Sequence, residues 1–513
     1  MTRPVVLIAW DGAEPSLLRR GMEQGWLPAL RALRARGRAY AIGGSHRDFP
    51  GAAWPTTITG TDIPQHGVYL SQQLASGTYR LDVRGTGDLG RPPFWRHVSD
   101  AGGRSVIAGV PGAPLLPDFH GVQACGWGQS DSYWTEPEPT IHPPAWKDGL
   151  QRVAGTRTLG LRAQPATRRE VLAYRDRIVR GTRDQCAGLE LLMREAEWDL
   201  FVAGFGEPHQ AGKLLWHLEE PDPPGHVPDD LRGILPTLYR ALDESLGRLV
   251  GAAGRDARIL VLSPHGMGGK STPGDPLGAI LERGGWLARP TGARRARGAG
   301  VARALWRLGR RLTTRRIRTV LGRWLPRDRW HLSLTLANIE WSRTRAFPLV
   351  PDHLSFLRVN LVGREPEGVV PAGEMDAVIA EVSEALLELE DPGSGRPAVT
   401  EIIRPAELFG EDPGGLLPDL AVRWAPSGGT RRLHSPTLGT IEVPIEGRET
   451  GMPRLPGFLI AAGPGIEPDG GDGPVGPEVS ALDVAPTVLG MLGIDVPPDL
   501  AGRPIAEADA ARP

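Results

Sequence analysis

The fold of this chain is decided near its start by the stretch Val5-Val6-Leu7-Ile8-Ala9-Trp10-Asp11-Gly12. Six consecutive apolar residues predict a strand that is buried on both faces, as in the interior of a parallel sheet. The run stops at Asp11, so an acid stands at the predicted carboxyl end of the strand. Open α/β sheets bind ligands at such ends, which makes Asp11 a candidate functional residue.

The same pattern recurs further along the chain. Apolar runs of strand length alternate with stretches of helical periodicity. The predicted strands are 105–110, 198–203, 258–263, 356–361, 420–424 and 458–466, and the predicted helices are 27–36, 168–196, 236–250, 373–389 and 483–493. This alternation predicts an α/β fold with a doubly wound, mostly parallel sheet and helices on both faces.

One region interrupts the alternation. From about 276 to 341 the chain is rich in arginine, with apolar residues at helical spacing between 301 and 312. Such a basic amphipathic helix either lies on an anionic membrane surface or forms a cap with a solvated arginine face, and we favour the cap. The predicted organisation is an α/β core over 1–275 and 346–505, an Arg-rich helical cap insertion over 276–345, and a frayed tail over 506–513.

The composition excludes several classes of protein. The 513 residues are 40% hydrophobic and 23% charged, with a net charge of −1, so no field of one sign argues for a nucleic-acid partner. Cys125 and Cys186 match no metal or redox spacing. The first apolar run is too short for a secretory signal, and no run is long enough to span a membrane. We therefore expect a cytoplasmic protein, with its oligomeric state left open.

A short segment concentrates groups that can carry chemistry. Between Phe205 and His217 it contains one carboxylate (Glu207), two imidazoles (His209 and His217) and one of the chain's three lysines (Lys213). The segment follows a predicted strand, so its side chains are expected at the edge of the sheet. A lysine there is a fixed positive charge that can hold an anion at neutral pH.

Further candidate ligands stand at two other strand ends. Asp11 follows the first strand, and His265 follows the strand predicted at 258–263. Carboxylate and imidazole ligands that converge from separate strands are typical of zinc or manganese centres in hydrolases. The pattern therefore suggests a divalent metal, Zn or Mn, with candidate ligands at all three strand ends. The loop that carries His46, Asp48 and His66 offers further candidates.

The order of these segments resembles a known family. The resemblance is carried by Asp11-Gly12, by Thr59-Gly60-Thr61-Asp62-Ile63-Pro64-Gln65-His66-Gly67, by Ser263-Pro264-His265-Gly266-Met267 and by Asp483-Val484-Ala485-Pro486-Thr487-Val488-Leu489. Together they resemble the alkaline phosphatase superfamily and, within it, the type I phosphodiesterase and nucleotide pyrophosphatase branch. The resemblance implies an alkaline-phosphatase-like fold and a hydrolase of small phosphate or sulfate esters, most closely a phosphodiesterase.

The sequence departs from the family's pattern at several metal-site positions. An Asp-x-x-x-His pair on the third motif is replaced by His209 and Lys213, and an Asp-His pair on the fourth motif by Pro264 and His265. The family's last metal histidine follows a Thr-Gly, but Thr450-Gly451-Met452-Pro453 contains no histidine. The resemblance therefore implies a reduced site with two alternatives. Either one ion is held by Asp11, His209 and His265, with His217 or Glu207 assisting, or no ion is bound and Lys213 supplies positive charge in its place.

The nucleophile is less well specified. The family's position falls on Pro50, or on Asp48 if the loop carries a two-residue insertion. An aspartate at that place can form a covalent acyl phosphate. Thr56 is a hydroxyl candidate, although a threonine after Pro55 also suits the start of a helix. Asp48, Thr56 and Lys213 are thus the predicted catalytic residues.

Substrate binding is expected from cationic side chains. Lys213 and Lys270 stand in motif-like segments, and Arg364 lies in a stretch similar to one of bacterial family members, where a guanidinium can grip an anionic group. A structural role in a turn is an alternative for Arg364. Two alternative functions also stay open: a degenerate member that binds an anionic ligand without hydrolysis, and a related group transferase.

Overall fold

The apolar run near the start of the chain forms the centre of the main sheet. The computed structural model describes residues 3–44, 49–128, 139–155, 165, 167–220, 228–270, 274–290, 336, 338–410, 412, 415–426, 430–444 and 449–505. Val5–Trp10 is strand β1, and all six of its residues are buried. It pairs in parallel with strands on both sides, so its two faces must be covered by other elements. The prediction of a doubly buried strand is confirmed.

The described chain contains the following elements. The strands are β1 (Val5–Trp10), β2 (Gly37–Gly43), β3 (Gln72–Leu74), β4 (Leu81–Val83), β5 (Ser105–Ala108), β6 (Gly121–Cys125), β7 (Thr140–His142), β8 (Leu200–Phe205), β9 (Arg258–Ser263), β10 (Gly266–Gly269), β11 (Ala346–Pro348), β12 (Ser355–Val359), β13 (Glu390–Asp391), β14 (Arg396–Pro397), β15 (Val399–Ile403), β16 (Leu420–Trp424), β17 (Arg432–Ser435), β18 (Gly439–Glu442), β19 (Gly451–Arg454), β20 (Gly457–Ala462) and β21 (Glu478–Ser480). The α-helices are α1 (Pro15–Glu23), α2 (Pro28–Ala35), α3 (Ala53–Thr59), α4 (Ile63–His66), α5 (Trp95–Asp100), α6 (Lys147–Ala154), α7 (Arg168–Glu195), α8 (Glu207–Leu215), α9 (Ile234–Ala253), α10 (Leu277–Arg283), α11 (Met375–Leu387), α12 (Pro405–Phe409) and α13 (Val484–Met491).

The main sheet has nine strands in the order β21-β2-β20-β9-β1-β8-β5-β6-β7. Most neighbours run parallel: β21 with β2, β9 with β1, β1 with β8, β8 with β5, and β5 with β6. Antiparallel pairs occur where β20 joins β2 and β9, and where β7 joins β6. The predicted mostly parallel α/β sheet is confirmed.

Alternate residues of β1 enter two separate cores. Val6, Ile8 and Trp10 pack in a cluster with apolar residues of α7 and α9. Val5, Leu7 and Ala9 pack in a second cluster with residues of α3, α5 and α13. Because neighbouring side chains of a strand point to opposite faces, helices must cover both sides of the sheet. Each fully buried Val, Leu or Ile contributes about 1.5–3 kcal/mol of hydrophobic stabilisation.

The longest helix, α7, begins at a well-defined cap. Thr167 accepts a hydrogen bond from the backbone N–H of Glu170, whose carboxylate in turn accepts one from the backbone of Thr167. This reciprocal pair satisfies two backbone donors that the first turn leaves without helical partners. The helix predicted at 168–196 is confirmed to within one residue. Within the described ranges, no helix combines the length and the apolar character needed to cross a bilayer.

The chain divides into two compact units. The core unit comprises the described residues within 1–71, 84–270 and 448–513, and the second unit those within 72–83 and 271–447. The core unit contains the nine-stranded sheet and the short pair β10–β19. The second unit contains two four-stranded sheets, in the orders β11-β12-β16-β15 and β14-β13-β17-β18, and the pair β3–β4.

The second unit differs from the sequence prediction. The strands predicted at 356–361 and 420–424 do not return to the parallel sheet: they form β12 and β16, which pair antiparallel in the second unit. A buried strand of either sheet shows the same apolar run, so periodicity alone does not assign it. The second unit therefore extends to residue 447, beyond the predicted insertion over 276–345. The arginine-rich helix and the tail over 506–513 lie outside the described residues.

Candidate metal centre

Three candidate ligands meet at the carboxyl edge of the main sheet. Asp11 follows β1, His209 lies in the first turn of α8 directly after β8, and His265 follows β9. β1 lies between β8 and β9, and the three strands are in parallel register, so their ends coincide. The ligand atoms of the three side chains all lie within 4.8 Å of one another. The structure thus brings these three predicted residues together, and their role as metal ligands stays a prediction.

The distances suit a small divalent ion. Asp11 Oδ1 lies 3.4 Å from His265 Nε2 and 3.8 Å from His209 Nδ1. Donors bound tetrahedrally to zinc at about 2.0–2.1 Å are roughly 3.4 Å apart. The two imidazole rings are inclined at 70°, with centroids 5.5 Å apart, so they approach the carboxylate from different directions. Two imidazoles and one carboxylate are also a donor set that zinc and manganese accept.

Neighbouring groups hold these donors in orientation. His265 Nδ1 lies 3.0 Å from the carbonyl of Gly266, and a carbonyl can only accept, so Nδ1 is the donor of this bond and Nε2 is the nitrogen that faces Asp11. The Ser263 hydroxyl accepts a bond from the N–H of Gly12 and donates one to the carbonyl of His265. It thereby ties the loop after β1 to the loop after β9. Such supporting bonds typically set the orientation of metal ligands.

Gly12 allows α8 to approach Asp11 closely. Its φ is +70°, in the left-handed region that favours glycine, and a Cβ at this position would stand 2.9 Å from His209 Cα. The Asp11-Gly12 turn is therefore specific to glycine. A larger residue would displace the helix turn that carries His209.

The Asp11 carboxylate is charged although it is buried. Burial by itself would raise its pKa, but His209, His265 and the indole of Trp54 together outweigh burial and lower the pKa below its usual range. The Trp54 Nε1–H donates a 2.8 Å hydrogen bond to Asp11 Oδ1. At neutral pH the cluster therefore offers an anionic oxygen beside two imidazole nitrogens.

The two assisting ligands predicted from the sequence take other positions. His217 lies beyond α8, and its Nδ1 is 3.1 Å from the Thr450 hydroxyl. Among the described residues it is not part of the ligand group around Asp11. Glu207 is fully buried in the first turn of α8 and is likewise outside that group. The structure thus brings together three of the predicted ligands.

Lys213 lies on the same helix as His209. Four residues separate them, which places both on one face of α8, about 6 Å apart along the axis. Lys213 Nζ lies 3.4 Å from a carboxylate oxygen of Glu449. Lys270 follows β10, where its backbone N–H donates to the Thr450 carbonyl. Both lysines belong to the core unit. Their anion-binding role stays a prediction.

The structure argues against activation of Thr56 by its nearest base. His66 Nε2 lies 3.1 Å from the Thr56 hydroxyl, and both side chains are fully buried. His66 Nδ1 accepts the backbone N–H of Val68, so the ring proton is on Nε2 and is donated to Thr56. A histidine that donates to the hydroxyl does not remove its proton. The other candidate nucleophile, Asp48, lies outside the described residues.

Arg364 is held in an ion-pair network of the second unit. Its guanidinium donates to both carboxylate oxygens of Asp419, to Glu365 and to the Val359 carbonyl. The Asp419 and Glu365 side chains are buried, and Glu365 also pairs with Arg358. These contacts engage all three guanidinium nitrogens of Arg364, which favours its alternative, structural role over the predicted contact with substrate.

Fold and site together define a class of protein: an α/β chain with an Asp-His-His cluster at the ends of parallel strands. The sequence model of the family described as "Type I phosphodiesterase / nucleotide pyrophosphatase" matches residues 5–422. The chain belongs to this family, and the resemblance noted in the sequence is confirmed. The hydrolase class predicted from the sequence is thereby confirmed at the level of the family.

Comparison with solved structures finds similar chains of low sequence identity. Human ectonucleotide pyrophosphatase / phosphodiesterase 5 shares 12% identity over 99% of each chain, with a TM-score of 0.49. The murine protein shares 14% identity over 97% of this chain and 96% of its own, with a TM-score of 0.47. Phosphonoacetate hydrolase from Sinorhizobium meliloti 1021, in complex with phosphonoacetate, shares 14% identity over 94% of each chain, with a TM-score of 0.48. No curated protein matches the chain.

Sequence reasoning missed two residues of the site. Trp54 is separated from Asp11 by 43 positions, and Ser263 closes a bond to Gly12 across 251 positions. Ser263 was visible only as part of a family-like motif. Trp54 carried no signal, because an indole in a helix most often indicates packing rather than a hydrogen bond to a metal ligand.

Proposed function

We propose that this chain hydrolyses phosphodiesters at a reduced metal site, in which Asp11, His209 and His265 hold one divalent ion, Zn²⁺ or Mn²⁺. One observation carries the proposal: three anionic or neutral donors of the right kind lie within 4.8 Å of one another at the carboxyl edge of the sheet. Membership of the type I phosphodiesterase family supports the substrate class.

The donor count favours one ion rather than two. A two-metal centre with ions about 4 Å apart needs more ligands than one aspartate and two histidines provide. Catalytic zinc sites typically combine three protein ligands with one open position, which is the number present here. A divalent ion in this position supplies Lewis acidity toward a phosphoryl oxygen and lowers the pKa of water.

The remaining roles, in holding the ion and in binding the phosphate group, fall to residues of the chain. The Asp11 carboxylate and the two imidazoles orient the ion, and the burial of Asp11 and His265 limits competition from bulk water. Lys213, one turn further along α8 than His209, supplies a positive charge for a non-bridging phosphate oxygen, and Lys270 is a second candidate. Asp48 stays a hypothesis for the nucleophile. Water activated at the site is consistent with the structural role indicated for Thr56.

Metal content and turnover test this proposal together. The purified chain is dialysed against metal-free buffer, reloaded with Zn²⁺ or Mn²⁺ and analysed by mass spectrometry, and hydrolysis of an aryl phosphodiester is followed. The wild type should retain about one ion per chain, and the double variant His209→Ala/His265→Ala should lose both the ion and the turnover. His217→Ala is the matched control and should keep the ion. Full turnover in the double variant would refute the proposal.

A second candidate function follows from Lys213 at a position where the family has a histidine. In this alternative the chain binds a phosphate or sulfate ester at Lys213 without a metal and without hydrolysis. It predicts saturable binding that is lost in Lys213→Gln and insensitive to chelator. A group transferase is separated from a hydrolase by product analysis with an alcohol competing against water. The cytoplasmic location expected from the sequence stays a prediction.

A further inference from the structure

Trp54 makes an unusual contact with the candidate metal centre. It lies in the first turn of α3 and is 8% exposed. Its indole N–H donates to Asp11 Oδ1 over 2.8 Å. This oxygen is also the one from which the distances to His209 and His265 are 3.8 and 3.4 Å. Trp54 thus touches the one carboxylate atom that both imidazoles face.

The geometry of the carboxylate gives this bond a specific consequence. Rotation about χ2 of an aspartate is only weakly restricted, so an unsupported carboxylate samples a broad range of orientations. A carboxylate oxygen has two lone-pair sites, and the indole takes one of them. Only the second site of this oxygen then remains for another partner. Indole is a donor only and does not titrate, so the Trp54 side of this bond does not change with pH.

Packing alone does not explain the bond. A buried indole N–H usually finds an acceptor, but within the described structure the Nε1 atoms of Trp10 and Trp95 are buried without a hydrogen-bond partner. Trp95 belongs to the same apolar cluster as Trp54. The protein therefore tolerates buried, unbonded indoles, and the contact of Trp54 with Asp11 is not a general requirement of the core.

We propose that Trp54 is a positioning residue that fixes the Asp11 carboxylate for metal binding. The inference rests on the proposed function, since it concerns the ion held by Asp11, His209 and His265. Trp54 acts through Asp11 and does not itself bind the ion. Supporting contacts of this kind are commonly worth 10–100-fold in metal affinity.

The test compares two tryptophan variants. Zn²⁺ affinity and stoichiometry are measured by calorimetry on wild type, Trp54→Phe and Trp95→Phe, and Co²⁺-loaded samples are compared by visible absorption, which reports coordination geometry. Trp54→Phe should bind Zn²⁺ at least about tenfold more weakly with unchanged stoichiometry, and its Co²⁺ spectrum should change. Trp95→Phe removes a buried indole from the same cluster and should match the wild type in both measurements.

The outcomes distinguish the positioning role of Trp54 from the proposed metal-dependent function. Tight binding by the wild type with unchanged affinity in folded Trp54→Phe would overturn the positioning role and leave the proposed function intact. Equal losses in both variants would show an effect of core packing and would also overturn it. A wild type that takes up neither Zn²⁺ nor Co²⁺ would overturn the metal-dependent function and the inference with it.

Discussion

His66 gives the chain a predicted loss of stability in mild acid. Its side chain is fully buried, its Nδ1 accepts the N–H of Val68, and its Nε2 bonds Thr56. Burial lowers its pKa from 6.5 to about 3. The neutral ring is therefore retained in the native state at pH values where the same ring in the unfolded chain is protonated.

The direction and the size of this change in stability follow from proton linkage. Between about pH 6.5 and pH 3 the unfolded state binds one more proton at His66 than the native state, so stability falls as the pH falls through this window. Each pH unit well inside the window costs about 1.4 kcal/mol. Between pH 7 and pH 5 the contribution amounts to about 2 kcal/mol, because titration of the unfolded chain begins only near pH 6.5.

The assay compares urea unfolding of wild type and His66→Asn at pH 7, 6 and 5. The asparagine can still accept the N–H of Val68 but does not titrate, so the wild type should lose about 2 kcal/mol more than the variant between pH 7 and pH 5. The exposed His120, replaced by Gln, serves as the control and should leave the wild-type slope unchanged. Parallel pH profiles for wild type and His66→Asn would refute the argument. They would also reopen the possibility that His66 acts as a base toward Thr56.

Three further predictions concern the site and its surroundings. In urea titrations, Gly12→Ala should lower the free energy of unfolding by roughly 1–3 kcal/mol more than the control Gly25→Ala. Both glycines have positive φ, but only at Gly12 would a Cβ press against His209. Equal losses in the two variants would contradict this clash. Arg364→Met should cost roughly 3 kcal/mol of stability, because it leaves buried carboxylates unpaired. The KM for an aryl phosphodiester should be unchanged in steady-state assays. A raised KM at unchanged stability would instead support substrate binding by Arg364. Lys213→Gln should raise KM roughly tenfold while metal content by mass spectrometry stays the same, and loss of the ion would place Lys213 in a structural role instead.

Much of the core sheet was predictable because its strands are buried on both faces. Runs such as Val5–Trp10 and Arg258–Ser263 leave few alternatives, and both are strands with every residue buried. The same signal failed for β12 and β16, which are just as apolar but pair in a separate antiparallel sheet. An apolar run reports burial, and it does not report which sheet supplies the neighbours.

The candidate site was predictable to the extent that strand ends determine it. Asp11, His209 and His265 follow three adjacent parallel strands, so their meeting is a consequence of the topology. Sequence proximity to His209 favours His217 as an assisting ligand, but the end of α8 turns the His217 side chain toward Thr450. Trp54 could not be found, since its contact with Asp11 depends on how α3 packs against the sheet.

The position of β20 has a consequence for synthesis on the ribosome. This strand lies between β2 and β9, yet it begins at residue 457, whereas β9 ends at residue 263. Both neighbours of β2, namely β20 and β21, are still untranslated when the second unit emerges. At about 5–20 residues per second, the edge of β9 waits roughly 10–40 s for its partner. During that interval the nascent chain presents an unpaired apolar edge, which makes it a candidate client of chaperones that bind exposed strands.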